Sequence, residues 1–563
     1  FIIILIMNHT ENTTIYQLLI NAQHQNANIR KPATSKLRRY ETQNGFANAL
    51  LGIVHNTQSP SHVRLLAIIC LKNVVHRHWR KSSSISQNNT NNVITNEEKN
   101  YVKNQLFNCL SYPDKVITVQ VCAVIAKIAR IDWPLGLWPD LFPKLLQFTF
   151  SGQQHLVVLT PQQPVSLSDQ NKLSNCNKAI VSLNKVLKEF LSIRVPSAKL
   201  RYQEIIFELL PVLTSDFSRN LELFVCFIQN TISSSDFRAA NSDEIAILLG
   251  EISKNSLKCI YHILATEFEN IIVLQSQQQQ QQQGGEVNVV IKPAVANFLF
   301  NIVRWLPVIE EILNMFPHEH PVEILLRKLH VNLTRCVTVV QKISPKGFEQ
   351  CGISTNNNNN SDQLIAKYFQ LYFPILQRAA DSMEKQMLGR ISTRLVLEKA
   401  YINILQFFSH LIDKSTLTCL SSLFTNTTIQ QITTMTITNF LALSEEDLIE
   451  WEDNPEQYVL KQDSLTIYER LRPAAENLYL SLVERFPEFI GPFLVQTILH
   501  KHESSVFDNN NNNSGGNNNN VTRSPSRINA CKLDGVYLAI GLNAYALNQH
   551  LNFGEWFMNR LGK

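Results

Sequence analysis

RLLAIICLKNVVHRHWRK, residues 64–81, decides how the chain folds. Seven apolar residues from Leu65 to Leu71 run, without a turn signal, into a segment with four bases, two histidines and a tryptophan. At 100° per residue, Leu65 to Leu71 with Val74 and Val75 nearly encircle a helix, which requires burial on most sides. A second helix of an internal repeat meets that demand, because it packs on its partner and on the repeats before and after it. Lys72, Asn73, His76 and Arg77 fall within an arc of about 140°, spaced at i and i+4. Two readings stand: a solvated face with Trp79 closing the core, or a binding face on the inner wall of stacked repeats.

Working outward, the helical period recurs in residues 15–25, 46–54, 99–110, 114–130 and 176–193. First helices begin near Ile15, Phe46, Glu97 and Trp138, and second helices near Ile29, His62, Asp114 and Lys172. Their spacing approaches the ~40–47 residues of two-helix HEAT or armadillo units. In residues 114–130, Gln120, Ala123, Lys127 and Arg130 share one side, so two adjacent second helices offer comparable polar stripes. Further helices are expected over 199–214, 219–231, 244–265, 290–315, 321–342, 363–383 and 393–413. QITTMTIT, residues 431–438, is the one good strand candidate. The expected fold class is all-α, a HEAT-repeat α-solenoid of antiparallel helix pairs.

The 563 residues carry a net charge of +5 and 44% hydrophobic content, ample for a core and too nearly neutral to argue for nucleic acid or membrane. Sixteen Lys and Arg stand against seven Asp and Glu in residues 1–150, which fits a basic face or simply a solvated surface. Ten cysteines lie singly with no CxxC pair, as expected of reduced core thiols and not of a disulfide framework or zinc site. FIIILIM at residues 1–7 has no charged flank and is far short of the ~20 apolar residues of a spanning helix; Met7 is the expected start.

Low-complexity tracts divide the chain. Residues 1–14 read as disordered or misassigned, 15–81 as the first two repeats, 82–96 as an Asn/Ser-rich insertion and 97–275 as repeats. A Gln-rich loop (276–288), repeats (289–350), an Asn-rich loop (351–362), repeats with an acidic segment (363–507, acidic at 444–456), a second Asn-rich loop (508–526) and a final repeat (527–563) complete the expected organisation.

Four segments carry a family resemblance. KPATSKLRRYETQNGF (31–46) with residues 63–81 resembles the N-terminal domain of importin-β-type nuclear transport receptors. IAKIARIDWP and WPDLFP (125–134, 138–143) resemble the third and fourth repeats of that family. LSEEDLIEWEDNPEQYV (443–459) is similar to its mid-chain acidic segment, and LRPAAENLYLSLVERFP (471–487) to the repeat that follows. The resemblance implies a right-handed superhelix that binds Ran-GTP on the inner face of its first repeats, protein cargo along its inner wall, and Phe-Gly nucleoporins between outer helices. It implies shuttling between nucleus and cytoplasm through nuclear pores, most simply as an import carrier.

By position in the matching segments, Lys72, Asn73, His76, Arg77, Gln120 and Lys127 are the expected Ran-facing residues. Glu445, Glu446, Asp447, Glu450, Glu452 and Asp453 are expected either to contact basic cargo or Ran, or to form a solvated acidic loop. The family's complete arrays are longer and usually acidic, so a truncated product is expected. No cofactor, metal, membrane insertion or direct nucleic-acid contact is expected. No GxxxxGK[ST], HExxH or GxSxG occurs, and His76 and His78 with Cys70 lack metal-ligand spacing. A HEAT scaffold that assembles other proteins is the main alternative, and a basic solenoid on nucleic acid a weaker one.

Overall fold

The computed structural model describes residues 9–80, 94–153, 167–233, 240–266, 272–274, 289–317, 319–351, 363–387, 397–463, 470–507 and 527–561. The Asn-, Ser- and Gln-rich tracts expected as loops fall almost entirely outside these residues. The chain forms two compact units, Phe1–Thr266 and Glu267–Lys563.

The first unit contains α1 (His9–Asn21), α2 (Ala27–Tyr40), α3 (Phe46–His55), α4 (Ser61–His78), α5 (Asn96–Asn108), α6 (Lys115–Asp132), α7 (Leu141–Gln153), α8 (Leu167–Phe190), α9 (Pro196–Ser233) and α10 (Ala240–Leu264). The second helices stack in succession: α4 on α6, α6 on α8, and α8 on α10. In α4, Val63, Ala67, Ile68, Leu71, Val74 and Val75 are buried, and Leu65, Leu66, Ile69 and Cys70 are half-buried. The buried residues share one arc of about 140° at 100° per residue, so the encircling burial expected from the sequence is met on that face and only in part on the side of the polar stripe.

Helix starts follow local chemistry. Asp114 caps α6, its Oδ1 accepting the amides of Val116 and Ile117 at 2.9 and 3.1 Å. At α3 the cap comes from another repeat. Gly45 sits in the left-handed region at φ 86°, and buried Glu98 of α5 accepts the amides of Gly45 and Asn48 at 3.0 and 3.3 Å. A carboxylate at a helix N-terminus satisfies otherwise orphaned donors and complements the helix dipole.

The expected break between 214 and 219 is absent. α9 runs through it as one helix of 38 residues, because Phe217 is buried and Ser218 Oγ donates back to the Thr214 carbonyl at 3.0 Å instead of capping a new helix.

The second unit opens with a two-stranded antiparallel pair, β1 (Ile272–Leu274) and β2 (Val289–Ile291), in register Val273 to Val290. Helices follow: α11 (Pro293–Leu313), α12 (Pro321–Ile343), α13 (Pro345–Gln350), α14 (Leu364–Met387), α15 (Glu398–Lys414), α16 (Leu417–Leu423) and α17 (Asn426–Met435). Then come α18 (Glu445–Asp453), α19 (Pro455–Asp463), α20 (Leu471–Arg485), α21 (Pro487–Phe493), α22 (His500–Phe507), α23 (Arg527–Leu542), α24 (Ala544–Leu547) and α25 (Phe553–Leu561). α12, α15 and α20 stack as α4, α6 and α8 do in the first unit.

The strand expected at 431–438 is helical. α17 continues into a π-helical turn, Thr436–Phe440, in which every residue is buried. The β-branched run is a feature of complete burial here, since Thr438 returns its hydroxyl to the Thr434 carbonyl at 2.9 Å and Ile437 lies in the core. β-propensity describes how a side chain fits its surroundings and yields to tertiary packing.

Candidate functional site

α4 and α6 run side by side, and their polar stripes meet. Lys72 Nζ donates to Gln120 Oε1 at 3.0 Å, joining two residues that the sequence placed on separate helices of one surface. Asn73 is half-buried beside them, and His76 is exposed at the same edge. Lys127 lies about two turns further along α6, half-buried, with Nζ 4.0 Å from Glu189 Oε1 on α8. The second-helix stack thus carries a polar edge across three repeats.

Two acids on that edge were not anticipated. Glu41, just after α2, takes Arg77 Nη1 at 2.8 Å and lies 3.3 Å from His78 Nε2. Glu189 takes Arg130 at 3.0 Å as well as facing Lys127. The expected cationic stripe is therefore partly neutralised. Glu41 stands in the quoted ETQNGF motif, but its pairing spans 36 residues and has no periodic signature.

Beneath the edge lies a buried lock between repeats. Trp79 Nε1 donates to Asp132 Oδ1 at 3.0 Å, while Lys103 Nζ stands 2.8 Å from Asp132 Oδ2 and donates to the Leu137 carbonyl at 2.8 Å. Both charges are almost fully buried, so each depends on the other for compensation. The lock holds the C-terminal ends of α4 and α6, and with them the edge above, in one register.

At the opposite end of these helices, Arg64 is buried, donating to the Val54 carbonyl at 2.9 Å and standing 5.0 Å over the Tyr112 ring. His55, bonded to Tyr112, is held below the usual imidazole range by burial and then by the Arg64 charge.

The acidic segment is differently built. Ser444 and Asp447 form a capping box at the start of α18, and Arg470 binds Asp447 at 3.2 Å. Asp447 is thus a structural residue. Glu452 and Asp453 are exposed and Glu450 is half-exposed, while the side chains of Glu445 and Glu446 lie outside the described residues. Trp451 packs edge-on against Tyr458 of α19, and Arg472 of α20 binds Asp534 of α23 at 2.8 Å.

The thiols of Cys122 and Cys336 are poorly suited to nucleophilic chemistry, because burial pushes both up to about 12. Among the described residues no group of three metal-ligating side chains converges, and no helix is long and apolar enough to cross a membrane.

Residues 33–111 match a family model described as the Importin-beta N-terminal domain. Over 98% of its length the chain is 21% identical to human importin-11, covering 49% of that protein. It is 23% identical over 97% of its length to the importin beta-like protein KAP120 of Saccharomyces cerevisiae, covering 46% of it. Among solved structures, Lph2, described as a bidirectional nuclear transport receptor of S. cerevisiae, superposes with a TM-score of 0.56 at 19% identity over 95% of this chain and 45% of its own. The chain spans about half the length of the curated relatives it matches, and the structural likeness establishes the HEAT-repeat solenoid fold.

Proposed function

We propose, from the premise that this chain is an importin-β-type protein, that it acts as a nuclear transport receptor: a carrier without catalytic activity that binds protein cargo and Ran-GTP and moves between nucleus and cytoplasm. The observation that supports this most directly is the coincidence of the Importin-beta N-terminal domain match with the Lys72–Gln120 junction. Residues 33–111 contain α4, and the polar edge continues from it without a break onto α6 and α8. Ran-GTP would lie against Lys72, Asn73, His76, Arg77, Gln120 and Lys127. Glu41 and Glu189 would hold those side chains extended and exchange partners on binding. Phe-Gly nucleoporins would dock between first helices during pore passage, and import is the proposed direction.

A solenoid is a series of small interfaces, so ligands on different repeats bias one another through its packing, and Ran-GTP would discharge import cargo by that coupling. The exposed acids Glu452 and Asp453, with half-exposed Glu450, would face basic cargo. Binding of the chain to Ran locked in its GTP and GDP forms tests the reading. Preference for the GTP form supports it, and equal or absent binding to both replaces it with a HEAT scaffold that assembles other proteins.

A further inference from the structure

The C-terminal ends of α4, α6 and α8 enclose a cavity of about 610 Å³ within the first unit. Four cations line it from four places in the sequence: Arg80 after α4, Lys99 in α5, Arg130 near the end of α6, and Arg194 between α8 and α9. Lys99 stands 5.6 Å over the Trp79 ring, and Arg130 is bound to Glu189. Arg80 and Arg194 are exposed and have no ion pair or hydrogen bond among the described residues. The one acid in the lining, Asp132, is buried and committed to Trp79 and Lys103. Among the described residues, the cavity therefore carries positive charge at Arg80 and Arg194 that no carboxylate of its wall offsets.

Its rim is apolar. Leu135 is 68% exposed, Leu137 58% and Val195 50%. The turn that carries the two leucines is firmly held. Gly136 adopts φ 74°, Leu137 N–H donates to the Asp132 carbonyl at 2.9 Å, and Arg201 of α9 binds the Pro134 carbonyl while its guanidinium lies 5.4 Å over Trp133. Trp133 is itself buried against Phe142 and Phe190. A held turn keeps the leucines in water instead of letting them fold into the core, and a ligand that buries them recovers the favourable free energy of apolar burial.

We propose that this cavity binds a protein partner through an extended acidic peptide, with carboxylates on Arg80 and Arg194 and a large aliphatic side chain on Leu135, Leu137 and Val195. Guanidinium groups form the stronger, charge-assisted class of hydrogen bond with carboxylates. Nucleic acid fits less well. Single strands gain their binding from bases stacked on aromatic faces, and among the described lining residues the one aromatic ring, Trp79, is buried under Lys99. The inference stands apart from the Ran-facing edge, since Lys72 and Gln120 do not line the cavity.

Fluorescence anisotropy of the full chain with a labelled peptide of alternating glutamate and leucine tests it. Saturable binding is expected, lost when glutamine replaces glutamate and weakened when alanine replaces leucine. The double substitution Arg80→Glu and Arg194→Glu, at exposed positions that leave circular dichroism unchanged, should weaken binding at least ~10-fold. Leu137→Ser should weaken it and Lys72→Glu should not, so that failure here and failure of the Ran reading are told apart. Equal affinity for the glutamine peptide, tighter binding of an oligouridine, or an unchanged constant in the double variant overturns the proposal. Self-association of the chain that the double variant abolishes while peptide binding is absent assigns the cavity to a second copy and overturns it equally.

Discussion

Trp79 at the end of α4 donates its indole N–H to the carboxylate of Asp132 at the end of α6, 3.0 Å away across a boundary between repeats. With Lys103 on the second oxygen of Asp132, the contact fastens two second helices and the first helix between them. Replacing Asp132 by Ala leaves the Lys103 ammonium buried without its partner. The expected loss is about 3 kcal/mol or more, read as a lower urea midpoint with tryptophan fluorescence following the change. Trp79→Phe, which removes only the N–H and some volume, is expected to cost about 1–2 kcal/mol.

Gly535 is a steric requirement. A Cβ there would stand 2.5 Å from the Ile437 carbonyl oxygen and 2.9 Å from the Ala442 amide nitrogen, both backbone atoms of the π-helical turn and its exit. Gly535→Ala should lower the thermal midpoint by several degrees, a loss of the 1–3 kcal/mol typical of overpacking. A Cβ added at Gly541 on the same helix would meet no other described part of the chain within 4 Å, so Gly541→Ala should be neutral or stabilising by about 0.5–1 kcal/mol. Equal effects at both positions would contradict the packing described.

His330 of α12 is buried with neither ring nitrogen hydrogen-bonded among the described residues, and burial, then the Arg378 charge, lowers its pKa from 6.5 to about 4. The unfolded chain therefore takes up a proton between these values that the folded chain refuses. Its neutral-state stability is complete above 6.5 and falls as the pH drops toward 4, by about 3 kcal/mol at the lower end. His330→Leu, which removes the buried polar atoms, should flatten this part of the stability profile relative to the native chain, measured by denaturant midpoints at a series of pH values.

Charge reversal at the polar edge separates binding from folding. Lys72→Glu and Arg77→Glu are expected to weaken Ran-GTP binding about 10-fold or more. The Arg77–Glu41 pair is 46% exposed on the arginine side, so its loss should cost less than about 1 kcal/mol of stability. Unchanged affinity with an intact fold removes these residues from the site.

The helical pairs around RLLAIICLKNVVHRHWRK were legible because amphipathic period and caps are local. Thr95 and Asp114 announce α5 and α6 within three residues of the groups they cap. The polar stripes were legible for the same reason, and stacking α4 on α6 joined Lys72 to Gln120. Two readings failed where local information ran out. Residues 214–219 look like a break but their polar groups bond within the helix, and QITTMTIT looks like a strand because complete burial and β-propensity favour the same residues.

The all-α class and the polar stripes of α4 and α6 follow from side-chain spacing over one or two turns, and are therefore carried by the residues alone. Only the tertiary structure decided which charges remain available. Glu41 meets Arg77, Asp132 meets Trp79 and Lys103, and Glu189 meets Arg130 only because stacked helices bring together residues 29 to 59 positions apart. Among the described residues, Arg80 and Arg194 gain no such partner. Pairing across repeats depends on the geometry of packed neighbours, which no local period encodes.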